Sequence, residues 1–144
     1  MLNIETVNHV GIRVADKARS ISFYENLGFR LLQDAGFEQG HPVIMKHPSG
    51  VVVNLLGPAN AADGKNILMD VDEKYPGYTH VAFTVRSLED ARAFMTENGI
   101  DITGSFSFNN MSAIFIRDPD RNVIELDAYG AATVDDTSGY SDHP

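Results

Sequence analysis

The sequence predicts an α+β protein built from two tandem copies of one βαβββ unit. Three observations carry that expectation. NHVGIRV at 8–14 returns as THVAFTV at 79–85, so that His9 meets His80 at an offset of 71 residues (80 − 9). The same offset, without a gap, places Phe23 on Phe94, Gly28 on Gly99 and Asn54 on Glu125. Each copy also runs through the same order of patterns, from alternation to helical spacing and back to alternation. Single matches of this kind are weak, but one offset aligning polar residues, a proline and strand patterns together is far stronger.

The elements follow in order. Residues 6–14 alternate as a strand, with Val10, Ile12 and Val14 on one face and His9, Gly11 and Arg13 on the other. Asp16 suits a helix N-cap; Ala18, Ile21, Tyr24 and Leu27 recur at helical spacing until Gly28 stops the helix. Strands are expected near 29–36, 42–47 and 51–56, with a turn at His47-Pro48-Ser49-Gly50. In the second copy a strand over 78–85 precedes a helix from Ser87, whose Ser87-Leu88-Glu89-Asp90 start resembles a capping box with Asp in the acceptor place. Strands near 100–106, 111–117 and 122–129 complete it. The expected organisation is a first module at 1–57, a linker at 58–77, a second module at 78–129 and an acidic, flexible tail at 130–144. Modules of about 55 residues are marginal alone, so pairing between modules is expected.

Bulk properties narrow the function. Of 144 residues, 43% are hydrophobic and 22% charged, which describes a globular chain. The net charge of -9 argues against nucleic acid or an anionic membrane as partner, because phosphate binding needs concentrated positive surface. The chain has no cysteine, which removes disulfide scaffolds, Cys-zinc sites and thiol nucleophiles. The N-terminus lacks the pattern of a signal peptide and no segment approaches a membrane span, so a cytoplasmic location is expected.

Strand parity then selects the candidate site. His9 and His80 face away from the apolar residues of their strands, as do Asn54 and Glu125 at the ends of the two modules. A carboxylate inside Asn122-Val123-Ile124-Glu125-Leu126 needs a cation or water, since burying it alone costs several kcal/mol. Two imidazoles and one carboxylate make a divalent-metal set with open positions. His9, His80 and Glu125 are therefore the expected ligands, and Asn54 either ligates through its amide oxygen or bonds a bound water. Fe, Mn, Ni, Co and Zn all suit such donors. Arg13 and Thr84 share the metal face and are candidate substrate contacts. Phe106, Phe108, Asn109, Asn110 and Met111 form a hairpin read mainly as packing. His41 and His47 read as surface residues beside prolines, and Asp118, Asp120 and Arg121 as turn chemistry.

VNHVGIRVAD at 7–16, FYENLGF at 23–29, YTHVAFTV at 78–85 and FIRDPDRNVIEL at 115–126 resemble the vicinal oxygen chelate superfamily, also called the glyoxalase/bleomycin resistance/dioxygenase family. The resemblance spans about residues 5–129. It implies paired βαβββ modules forming a U-shaped mixed sheet around one divalent ion, usually in a homodimer. It carries the family's metal positions onto His9, His80 and Glu125, and its fourth position onto Asn54, where lactoylglutathione lyases typically have Glu and epimerases Gln. The implied chemistry is bidentate binding of two adjacent oxygens of a small-molecule substrate, with enediolate-type isomerase or lyase turnover and Glu125 as base. The alternatives are an Fe(II) extradiol-type ring-cleaving dioxygenase and a non-catalytic, drug-binding protein of the bleomycin resistance kind.

Overall fold

The structure, a computed structural model, describes residues 1–61 and 64–130. Residues 131–144, which include nearly all of the expected acidic tail, lie outside the described residues. The described chain falls into two units that meet between residues 61 and 64. The first contains β1 (Val10–Arg13), α1 (Lys17–Asn26), β2 (Arg30–Asp34), β3 (Val43–Lys46) and β4 (Val52–Leu56). The second contains β5 (His80–Thr84), α2 (Leu88–Glu97), β6 (Gly104–Phe108), β7 (Met111–Arg117) and β8 (Val123–Tyr129). Both are therefore βαβββ, and the fold is α+β as expected.

Each unit makes one four-stranded mixed sheet. The orders are β1-β4-β3-β2 and β5-β8-β7-β6, so the first and last strands of each unit lie side by side in parallel. The register repeats as well: Gly11 lies opposite Asn54, and Ala82 opposite Glu125. Parallel neighbours in register share a face, and so do residues two apart on a strand. His80 and Glu125 thus share one face of the second sheet.

The helices start and stop for the expected reasons. The Asp16 side chain accepts from the Arg19 backbone N–H at 2.8 Å, and Ser87 Oγ accepts from Asp90 N–H at 3.1 Å. Gly28 and Gly99 follow the helix ends at φ +101° and +65°, a backbone region open to glycine at little cost. The buried face of α1 keeps Tyr24, as the periodicity predicts, but Ala18 is exposed and Ser20 is fully buried instead. A small side chain at Ser20 admits close packing there. The first core gathers Val14, Tyr24, Val43, Met45, Val53 and Leu55, and the second Met95, Ile114, Ile116, Ile124 and Leu126.

Most strands are shorter than the alternation suggests, and β6 is shifted, running Gly104–Phe108 rather than near 100–106. β1 begins at Val10 rather than near residue 6: its ladder with β4 opens at the Val10–Val53 pair, and residues 49–51, which would face 6–8, lie in the β3–β4 turn or just ahead of β4. His9 therefore sits just ahead of the strand, whereas His80 is the first residue of β5. A 3₁₀ turn at Phe37–Gln39, unmarked by any periodic pattern, buries Phe37. Its ring lies against Gly57, where a Cβ atom would collide with the ring and with the Val14 carbonyl.

Residues 66–70 of the expected linker are tied to the second unit. Asp70 takes two bonds from Arg117, at 2.9 and 3.1 Å, and one from Arg121 at 3.1 Å. The guanidinium groups hold its carboxyl down at about 2, against the burial that opposes ionisation. Asp118 is buried and organises the β7–β8 turn, accepting from the backbone N–H groups of Asp120 and Asn122 and from the Asn122 amide. Arg121 occupies positive φ in that turn. Turn chemistry is the observed role of this segment.

Candidate functional site

The second unit brings two of the expected residues together. His80 Nε2 lies 3.1 Å from Glu125 Oε2. The imidazole is half-open to solvent, while Glu125 is buried at 8% exposure. Phe115 lies opposite Glu125 on β7, and its ring meets the edge of His80 at 6.0 Å between centroids. Burial pushes the Glu125 carboxyl above its ordinary range; His80 opposes that shift and Asp127 adds to it.

Both histidines are oriented alike. His9 Nδ1 bonds Asn8 Oδ1 at 2.7 Å, and His80 Nδ1 bonds Thr79 Oγ1 at 2.9 Å. In each copy the residue just before the histidine takes Nδ1, which leaves Nε2 as the outward nitrogen. This is the arrangement that orients metal-ligating imidazoles, where a bond at one ring nitrogen fixes the ring for ligation through the other.

Asn54 carries the first unit's clearest signal. It is buried at 9% exposure, and its Oδ1 is a buried acceptor with no hydrogen-bond donor. Leaving such an oxygen unpaired costs about 1–3 kcal/mol, a cost that a cation or ligand donor would offset. An amide oxygen, two oriented imidazoles and a carboxylate are a donor set that suits a divalent ion. Among the described residues no group of three or more His, Asp and Glu side chains is gathered closely enough to hold an ion. The candidate ligands divide as His9 and Asn54 in one unit and His80 and Glu125 in the other.

Other candidates separate clearly. Arg13 is exposed on β1, beside Leu56 of β4. The Thr84 hydroxyl donates to Asp127 Oδ1 at 2.7 Å, so its bond is to another side chain of the same face. His41 is exposed in a loop, and His47 Nδ1 engages Ser49 Oγ at 2.8 Å in the β3–β4 turn. Asp127 is the residue the sequence reading missed. It is buried at 8% exposure, and parity alone would have found it, since it stands two residues beyond Glu125 on the same strand.

A family model, "Glyoxalase/Bleomycin resistance protein/Dioxygenase superfamily", matches residues 6–126. The chain belongs to this superfamily. It is 27% identical over 136 residues to a glyoxalase domain-containing protein of Mycosarcoma maydis, covering 89% of this chain and 70% of that one. It is also 27% identical over 139 residues to the lactoylglutathione lyase of Schizosaccharomyces pombe, covering 83% of this chain but only 46% of that protein. A glyoxalase family protein from Enterococcus faecalis superposes with a TM-score of 0.70 at 25% identity, over 85% of this chain and 97% of that one. A glyoxalase/dioxygenase from Nostoc punctiforme gives 0.71 at 23% identity, over 90% and 94%. The βαβββ units of the superfamily member described here are thus those of a known fold. No helix among its described residues is long and apolar enough to cross a membrane.

Proposed function

We propose that this superfamily member is a divalent-metal isomerase or lyase acting on a small molecule with two adjacent oxygens. The observation that carries the reading is the His80–Glu125 pair, a buried carboxylate held 3.1 Å from an oriented imidazole. In this reading His80 and Glu125 give the ion an imidazole nitrogen and a carboxylate oxygen, and His9 and Asn54 are the further candidate donors. When bound, the ion supplies Lewis-acid polarisation of the two substrate oxygens.

The chain's own residues supply the rest. Glu125 Oε2 takes the proton from the carbon beside the carbonyl and returns it to the neighbouring carbon. Burial favours this role, because a carboxyl raised above its ordinary range is a stronger base than an exposed one. Phe115 packs against the His80 ring and fixes it, and the short Ala82 opposite Glu125 leaves room over the carboxylate. The similarity to a lactoylglutathione lyase supports the same class. Among the described residues the ring-cleaving alternative gains no second acid–base histidine on the sheet face, as His41 and His47 lie in a loop and a turn.

The test is solvent-deuterium incorporation during turnover of thiol adducts of 2-oxoaldehydes by metal-reconstituted protein. Exchange at the carbon beside the carbonyl, lost in Glu125→Gln, is the expected result. Full turnover by Glu125→Gln would overturn the base assignment.

A further inference from the structure

Asp127 is a buried carboxylate that this chemistry does not use. Across the second sheet it belongs to a row, Thr84, Asp127, Ala113 and Phe106, next to the row of Ala82, Glu125 and Phe115. It lies about 6.7 Å from Glu125 along β8 and projects from the same face. Thr84 fixes one oxygen, Oδ1, at 2.7 Å. Among the described residues the other oxygen accepts no hydrogen bond and no cationic side chain pairs with the group. The second oxygen is not sealed away from solvent, so a ligand can reach it.

The surroundings indicate which ligand that would be. Phe106 and Phe115 stack at 5.9 Å between centroids and 24° between planes, forming an aromatic wall on the neighbouring strands. Ala113, opposite Asp127, puts only a methyl group between the carboxylate and Phe106. A carboxylate beside aromatic rings attracts an organic cation through both charge and ring quadrupole. The equivalent place in the first unit, 71 residues earlier (127 − 56), is Leu56, so this feature belongs to one unit alone.

We propose that Asp127, oriented by Thr84, is a specificity-determining residue that receives an ammonium-type cation on the substrate. The inference rests on the reading above, in which the substrate's adjacent oxygens lie at His80 and Glu125. Thr84 acts as a positioning residue through Asp127 rather than as a contact of its own.

Two catechols test it, 4-ethylcatechol and 4-(2-aminoethyl)catechol, titrated calorimetrically into Zn(II)-loaded full-length protein at low ionic strength. The aminoethyl compound is expected to bind at least about tenfold more tightly. Asp127→Asn should bring the two within about twofold, and Thr84→Val should lower the ratio about threefold. Equal affinity of the two compounds for the wild type, or a preference retained in Asp127→Asn, would overturn the inference and leave the chelation reading standing. Failure of both compounds to bind protein that holds stoichiometric zinc would overturn that reading and this inference with it. Should Asp127→Asn fail to fold, the wild-type ratio and Thr84→Val still decide, since an unchanged ratio in Thr84→Val removes the positioning role.

Discussion

The two units repeat one backbone and diverge in charge. Gly11 stands opposite Asn54 as Ala82 stands opposite Glu125, and His9 and His80 each have Nδ1 bonded to the side chain just before them. Yet the first unit offers a neutral amide oxygen without a donor, and the second a carboxylate already beside an imidazole. Position 46 is an exposed lysine, whereas its counterpart Arg117 is buried and clamped to Asp70. Leu56 likewise answers to Asp127. The duplicated frame fixes where side chains point. The two units then differ through a few substitutions at those fixed places.

The largest expected effect breaks the equivalence of the matched positions 54 and 125. Glu125→Gln should lower turnover by about 10²- to 10⁴-fold, the usual contribution of a positioned acid–base group, measured as steady-state kcat. If Asn54→Leu proved equally damaging to kcat at saturating metal, the two units would share the proton-transfer role and the contrast would fail.

Next comes the clamp that only the second unit has. Asp70→Asn strands the buried Arg117 guanidinium and should cost about 2–3 kcal/mol, read by denaturant unfolding. Its acid dependence has a definite sign. The Asp70 carboxyl lies at about 2 in the folded protein against an ordinary 3.8, so its stabilisation is complete above about pH 4 and disappears as pH falls through about 2. Removing it should flatten the acid limb of the stability curve by about 2 kcal/mol across that window. An unchanged limb would show that other carboxylates govern acid unfolding.

A smaller and opposite effect is expected at Asn54. Replacing it by leucine removes the orphaned Oδ1 and should stabilise the metal-free protein by about 1 kcal/mol. The same variant should lose part of the rise in Tm that metal gives the wild type. Destabilisation without metal would mean that the amide oxygen already has a partner.

Much of this was legible in the sequence because strand parity and an ungapped repeat are strict. A one-residue step reverses the face, so His80 and Glu125 had to share one side of the second sheet once the repeat was seen. Both helix caps, both glycine stops and the Asp118 turn followed from local chemistry. The limits have equally physical causes. The start of β1 depends on how far β4 extends, which no local pattern near His9 records. The Asp70–Arg117 clamp joins residues far apart in sequence, and neither belongs to a motif. Ser20 is buried by tertiary packing that outranks its polarity. Asp127 was legible by the same parity, two residues beyond Glu125 on one strand.

The proposed function requires that His9 and His80 both ligate the ion. Elemental analysis of purified wild type, His9→Ala and His80→Ala after metal loading and desalting tests it most directly. The expected result is one divalent ion per pair of units in the wild type and the loss of that whole ion in either variant. Full metal retained by His9→Ala, with loss only in His80→Ala, would contradict it and confine the ion to the second unit.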